Sequence, residues 1–201
     1  MKYKVYGDML SGNCYKIRLL MQFLEIEHEW VHVDILSGEA STAEFVAMNG
    51  NAKVPVLEID GADYLSESNA ILNYLAEGTA YLPGSGLPRA KVLQWQFFEQ
   101  YSHEPYIAVA RYINVYLGLP EDRREEFHSK QSGGYKALAV MDRHLAASRF
   151  FVGDTITIAD ISLYAYTHVA HEGGFDLSLY PNIVRWITRI EAEPKYIEMK
   201  R

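Results

Sequence analysis

The order of strand and helix signals at the amino-terminal end constrains this chain more than any other feature. A β-rich run, KYKVYG (2–7), precedes residues 14–24, in which Cys14, Ile17, Leu20, Met21 and Leu24 recur at helical spacing. HEWVHVDI (28–35) then alternates Trp30, His32 and Asp34 against Val31, Val33 and Ile35, the pattern of a strand with two unlike faces. A polar stretch carrying AEFVAMN predicts a short, irregular second helix. In VPVLEIDGADYLSES the pair Asp60-Gly61 separates two β-rich runs and predicts a hairpin, after which Ser66 is placed to cap a helix through Ala70, Ile71, Tyr74 and Leu75. The resulting order, βαβαββα, joins a parallel βαβ unit to an antiparallel hairpin. It predicts a small mixed sheet with helices on both faces.

The character of the chain changes at 78–90, where GTAYLPGSGLPRA concentrates glycine and proline and no strand signal follows. The expected organisation is an α/β domain at 1–78, a linker at 79–88 and an all-α domain at 89–201. Trp95, Phe98, Tyr101 and Ser102 begin a long helix that Pro105 is expected to kink, and Pro120 opens the next, which SGGY (132–135) is expected to interrupt. In TITIAD, Thr157 and Asp160 are spaced as a capping box, and Pro181 and Pro194 bracket a last helix.

Composition narrows the function. No apolar run approaches the ~18 residues of a spanning helix, and MKYKVYGDML is too polar for a secretory signal, which points to a cytoplasmic protein that does not enter membranes. The single cysteine, Cys14, excludes an intrachain disulfide and a cysteine-rich zinc site. A net charge of −7 spread over both halves disfavours nucleic acid, because binding there needs a basic face. A small molecule or another protein is the expected partner.

Four stretches carry the chemistry: SGNCYKIR (11–18), NAKVPVL (51–57), SESNAILNYLAE (66–77) and VGDTITIADISLYAY (152–166). In this order, with the βαβαββα pattern, they resemble a cytosolic glutathione transferase over essentially the whole chain. The resemblance implies a thioredoxin-like first domain, glutathione as co-substrate without a metal, and a homodimer. The run at 11–17 is similar to the serine-based theta, zeta and nu groups, most of all to the nu-like Thr-Pro-Asn-Gly-His-Lys-Ile run.

Each stretch has a physical reading that fits a glutathione site. Pro55 is well placed for a cis bond that would turn the backbone N–H and C=O of Val54 toward the cysteinyl backbone of a bound peptide, strand-fashion. A carboxylate at a helix N-terminus gains about 0.3–2 kcal/mol, so Ser68 suits the γ-glutamyl carboxylate and Glu67 its ammonium. SGNC stands where thioredoxin-like redox proteins carry C-x-x-C, but the exposed first position is Ser11, and Cys14 takes the sheltered second one, where it is expected to be inert. A thiol with pKa near ~8.5 is a few per cent ionised at neutral pH, and a hydroxyl donating to the thiolate contributes roughly 1.5–3 kcal/mol, which lowers the pKa by about one to two units. Ser11 is therefore the expected catalytic residue, with Asn13 a second donor to sulfur by the nu-like match.

Relatives carry a histidine that reaches the glycyl end of glutathione where this chain has Ala40, and Lys53 is the candidate replacement. The second substrate is expected between the halves, along FFEQYSHEPYIAVARY, with Leu10, His103, Tyr106 and Arg111 as candidate contacts. The resemblance favours an enzyme, a transferase that conjugates glutathione to an electrophile with Ser11 stabilising the thiolate; the alternatives are glutathione-dependent disulfide or peroxide reduction and binding without turnover.

Overall fold

The computed structural model describes residues 1–200, which form two units. One holds Met1–Glu77 together with residues 195–200, and the other holds Gly78–Pro194. The first unit has the expected order: β1 (Tyr3–Gly7), α1 (Gly12–Leu24), β2 (His28–His32), α2 (Ala43–Met48), β3 (Val56–Ile59), β4 (Asp63–Ser66) and α3 (Ser68–Ala76). The strands run β2-β1-β3-β4 across a mixed sheet in which β1 and β2 are parallel and the other neighbours antiparallel.

Local chemistry sets the boundaries. Strand β2 stops at His32, short of Ile35, because the Asp34 carboxylate accepts from the N–H groups of Leu36 and Ser37 and turns the chain out of the ladder. In the hairpin, Asp60 and Gly61 both adopt positive φ, 52° and 73°, and Ala62 N–H closes the turn on Ile59 O at 3.1 Å. The α3 cap is Glu67 rather than Ser66.

The pleat divides the sheet into two packed faces. Val5 and Leu57, opposite one another in register, are fully buried, as are Cys14, Ile17, Leu20 and Met21 of α1 and Ile71 and Leu72 of α3, which packs along α1. Tyr6 and Val56 point the other way and join Val33, Ala40, Phe45, Met48 and Val54 under α2. Gly7 lets α1 approach the sheet, since a Cβ there would lie 2.8 Å from the Cys14 sulfur. Residues 195–200 join this unit, outside the helical half expected over 89–201: Tyr15 donates to Ile197 O at 2.7 Å, and Lys195 pairs with Glu25 at 2.6 Å.

The second unit contains α4 (Gly86–Phe98), α5 (Glu104–Arg111), α6 (Arg124–Leu145), α7 (Ile158–Thr167) and α8 (Pro181–Glu191). Helix α4 starts inside the expected linker. Between α4 and α5 the chain widens into a π turn at Glu99–His103, just before Pro105, which has no N–H to donate to the preceding turn. SGGY does not interrupt α6. Its glycines are there for close packing: a Cβ at Gly133 would sit 2.2 Å from the Tyr106 ring, and one at Gly134 would sit 2.3 Å from the Phe175 ring.

Helix α7 is buried along its whole length and is held at its start by the capping box of Thr157 and Asp160. The buried Asp160 carboxylate accepts from Phe151 N–H, Thr157 N–H, the Thr157 hydroxyl and the Trp186 indole, each at 2.9–3.0 Å. One carboxylate thus ties α7 to the preceding loop and to α8. Burial pushes Asp160 up to about 6 and His168, at the far end of α7, down to about 4.

Two outcomes follow. Replacing Gly134 by alanine gains about 1 kcal/mol of helix propensity but forces a methyl into the buried Phe175 ring at a cost of about 1–3 kcal/mol, so Gly134→Ala is expected to lower the urea midpoint. A raised midpoint would contradict the packing. The neutral His168 stacks on Tyr164 at 4.4 Å, and its folded pKa lies below the unfolded value, so the stability it holds above pH ~6.5 is lost as pH falls toward 4. Asp160 titrates in the same range with the opposite sign, so the signature lies in a difference. His168→Phe is expected to gain up to roughly 3 kcal/mol relative to wild type between pH 6.5 and 4, measured by urea titration. A constant difference across that range would contradict it.

Candidate functional site

The register of the sheet brings the three amino-terminal motifs together. Tyr6 of β1 pairs with Val56 of β3, and Val56 pairs in turn with Ser66 of β4, so this row marks one end of the sheet. The chain leaves β1 there toward Asp8–Ser11 and α1. It enters β3 there through Val54 and Pro55, and it leaves β4 there through Glu67 into α3. The Val54–Pro55 peptide is cis, Pro55 is buried, and half-buried Val54 precedes the first ladder pair of β3.

At the start of α1, Ser11 is the N-cap. Its N–H donates to Asp8 O at 3.2 Å, and its hydroxyl oxygen accepts from Cys14 N–H at 3.4 Å. Ser11 is 8% exposed and Cys14 fully buried. Burial pushes the Cys14 thiol up to about 12, outweighing the Ser11 side chain and the Asp8 backbone, which both favour the thiolate.

Two residues further, Asn13 meets the start of α3. The Ser68 hydroxyl donates to Asn13 Oδ1 at 3.0 Å across 55 residues of sequence. Lys16, with no exposed surface, donates from Nζ to Asn13 Oδ1 at 2.8 Å and to Ser68 Oγ at 3.3 Å. Beside this triangle, exposed Glu67 has φ 68° and ψ 111°, a conformation that costs a residue with a side chain on the order of 1–3 kcal/mol. Such strain concentrates where a ligand is held. Here it stands immediately before the first turn of α3, the end of a helix that favours an anion.

The glutathione S-transferase N-terminal domain pattern matches residues 10–77, and the C-terminal domain pattern matches 95–194. A crystal structure of a glutathione S-transferase from Pseudomonas fluorescens superposes with a TM-score of 0.97 at 56% identity, covering 99% of each chain. This chain belongs to the glutathione S-transferase family. The chain is also similar to proteins named otherwise: the disulfide-bond oxidoreductase YfcG of Escherichia coli is 29% identical over 92% of this chain and 88% of its own, and protein URE2 of Eremothecium gossypii is 28% identical over 99% of this chain and 68% of its own.

The remaining candidate residues of this glutathione S-transferase family member occupy different settings. Lys53 is exposed, and its carbonyl accepts from Asn49 Nδ2 at 2.8 Å. Leu10 is half-buried, with its N–H on Asp8 Oδ1 at 2.8 Å. In the helical unit, His103 is fully buried with Nε2 2.9 Å from the Thr167 hydroxyl, and buried Arg111 is paired with Glu172 at 2.6 Å. Tyr106 is half-buried and lies over Gly133. Among the described residues no helix is long and apolar enough to cross a membrane.

Lys16 was missed in the sequence. Its signal was the three-residue step from Asn13, which puts the two side chains on one line of the helix. For Cys14, a thiol held near 12 is expected to resist iodoacetamide at pH 8 in the folded protein and to react fully in urea, as read by intact mass. Rapid labelling of the folded protein would contradict its burial.

Proposed function

We propose that the first unit binds glutathione at the sheet end marked by Tyr6, Val56 and Ser66, and that the protein joins glutathione, through its thiolate sulfur, to a small electrophile. The observation that carries this reading is the Ser68–Asn13 hydrogen bond, which joins the N-terminal turn of α3 to that of α1 beside the strained Glu67. A γ-glutamyl carboxylate would sit on the α3 N-terminus with the Ser68 hydroxyl, and its ammonium would meet Glu67. Val54 offers its backbone to the cysteinyl residue, Pro55 sets the direction of the chain there, and Lys53 supplies a positive charge toward the glycyl carboxylate.

Ser11 donates to the sulfur and Asn13 assists through its amide. The buried Cys14 leaves the serine hydroxyl as the reactive-position side chain of α1. Stabilised as an anion, the sulfur attacks the electrophile and forms a thioether as the leaving group departs. In the helical unit, Tyr106 keeps exposed surface for an acceptor, while His103 and Arg111 hold their helix through Thr167 and Glu172. A homodimer goes with this reading: Leu93, Phe97 and Tyr101 recur at four-residue steps, and the last two are 69% and 85% exposed. A cytoplasmic setting fits the lone unpaired cysteine.

Similarity to YfcG supports a second reading, in which the same thiolate attacks a mixed disulfide rather than a carbon electrophile. Assays with a chloronitroaromatic and with a glutathione mixed disulfide separate the two. In either, Ser11→Ala is expected to lower turnover at least about tenfold near pH 7 while Cys14→Ala changes it far less, a difference of about 1.4 kcal/mol or more in transition-state stabilisation. The reverse ranking would remove Ser11 from the chemistry. Weaker glutathione binding by Glu67→Ala and Ser68→Ala, read by calorimetry, is expected alongside, and unchanged affinity would contradict the α3 site.

A further inference from the structure

A wholly buried ammonium group needs acceptors for its protons, and Lys16 finds two of them in Asn13 Oδ1 and Ser68 Oγ. Counting protons and lone pairs defines what these two residues can offer a ligand. An amide oxygen has two lone pairs, and those of Asn13 receive Lys16 Nζ at 2.8 Å and the Ser68 hydroxyl at 3.0 Å. Any further partner therefore meets Asn13 as a donor, through Nδ2. The Ser68 oxygen accepts from Lys16 and keeps one lone pair, which an anion cannot use, so toward a carboxylate its single proton is what it has to give.

We propose that Lys16 is a positioning residue of the glutathione site. It makes donors of both Asn13 and Ser68, and from behind Ser68 its ammonium adds to the α3 dipole in holding the γ-glutamyl α-carboxylate. This rests on the glutathione reading. A ligand carboxylate takes over the hydrogen bond that the Ser68 hydroxyl gives Asn13 Oδ1, and Lys16 still donates to that oxygen and to Ser68 Oγ. No bond is made or broken, and the lysine does not touch the ligand. Its spacing from Asn13 along one helix means that the donor set is built largely within α1, with Ser68 brought to it by α3.

The test compares glutathione with its analogue lacking the α-carboxylate, γ-aminobutyryl-cysteinyl-glycine, by calorimetry on the wild type and on Lys16→Met, which keeps the length and apolar stem of the side chain. The wild type is expected to prefer glutathione. Lys16→Met is expected to bind glutathione about tenfold more weakly and the analogue at close to its wild-type affinity, so that the preference shrinks by about that factor. An equal loss for both ligands would reduce Lys16 to a structural role and overturn the proposal, as would an unchanged preference. A wild type that binds neither ligand overturns the glutathione reading itself and this proposal with it. Where Lys16→Met does not fold, the ζ-ammonium signal of Lys16 in wild-type nitrogen–proton spectra decides instead: it is expected to shift with glutathione and much less with the analogue, and equal shifts or none overturn the proposal.

Discussion

Strand β3 lies antiparallel between β1 and β4, and that single arrangement makes the proposed site possible. Because Tyr6, Val56 and Ser66 share one row, the end of β1, the start of β3 and the end of β4 meet at the same edge of the sheet. A parallel β3 would send Val54 and Pro55 to the opposite end. From that edge the chain turns twice into a helix, so the N-termini of α1 and α3, each the positive end of a helix dipole, lie at the same end of the sheet. The polar triangle of Asn13, Lys16 and Ser68 then ties the two helices together at their starts, beside the apolar packing of α1 along α3.

The helical unit rests on a different solution to the same problem, the satisfaction of buried polar groups. Asp160 is fully buried yet accepts four hydrogen bonds, each from a group that would otherwise be orphaned at a helix start, in a loop or on the indole of Trp186. His103 with Thr167, and Arg111 with Glu172, extend this internal polar framework along α5 and α7. Aromatic rings fill the space around it: Trp186 lies edge-on to both Phe151 and Tyr164. The glycines of α6 admit the Tyr106 and Phe175 rings at distances that no side chain would allow.

The amount legible in the sequence follows the range of the interaction involved. Periodicity and turn chemistry act locally, and so β1, α1, the Asp60-Gly61 hairpin and the Thr157–Asp160 capping box stand out from residue order. The early stop of β2 depends on an Asp34 side chain competing for backbone N–H groups, which alternation of apolar residues does not register. SGGY reads as a break because glycine disfavours helices, but packing against Tyr106 and Phe175, from elements distant in sequence, outweighs the local preference. The role of Lys16 was hidden for the same reason: its partnership with Ser68 exists only once α3 lies beside α1. His103 and Arg111 sit at helical spacing in an aromatic stretch, and the internal partners that engage them, Thr167 and Glu172, are more than sixty residues away in the chain.

The central claim is that a serine hydroxyl at the start of α1 keeps the sulfur of a bound tripeptide ionised. Ultraviolet difference absorbance of the thiolate, titrated against pH with glutathione bound to wild type and to Ser11→Ala, tests it most directly. The expected result is an ionised thiol at pH 7 in the wild type and a midpoint raised by about one to two units in the variant. A wild-type midpoint at the free-thiol value near ~8.5, or one that Ser11→Ala leaves in place, would contradict it.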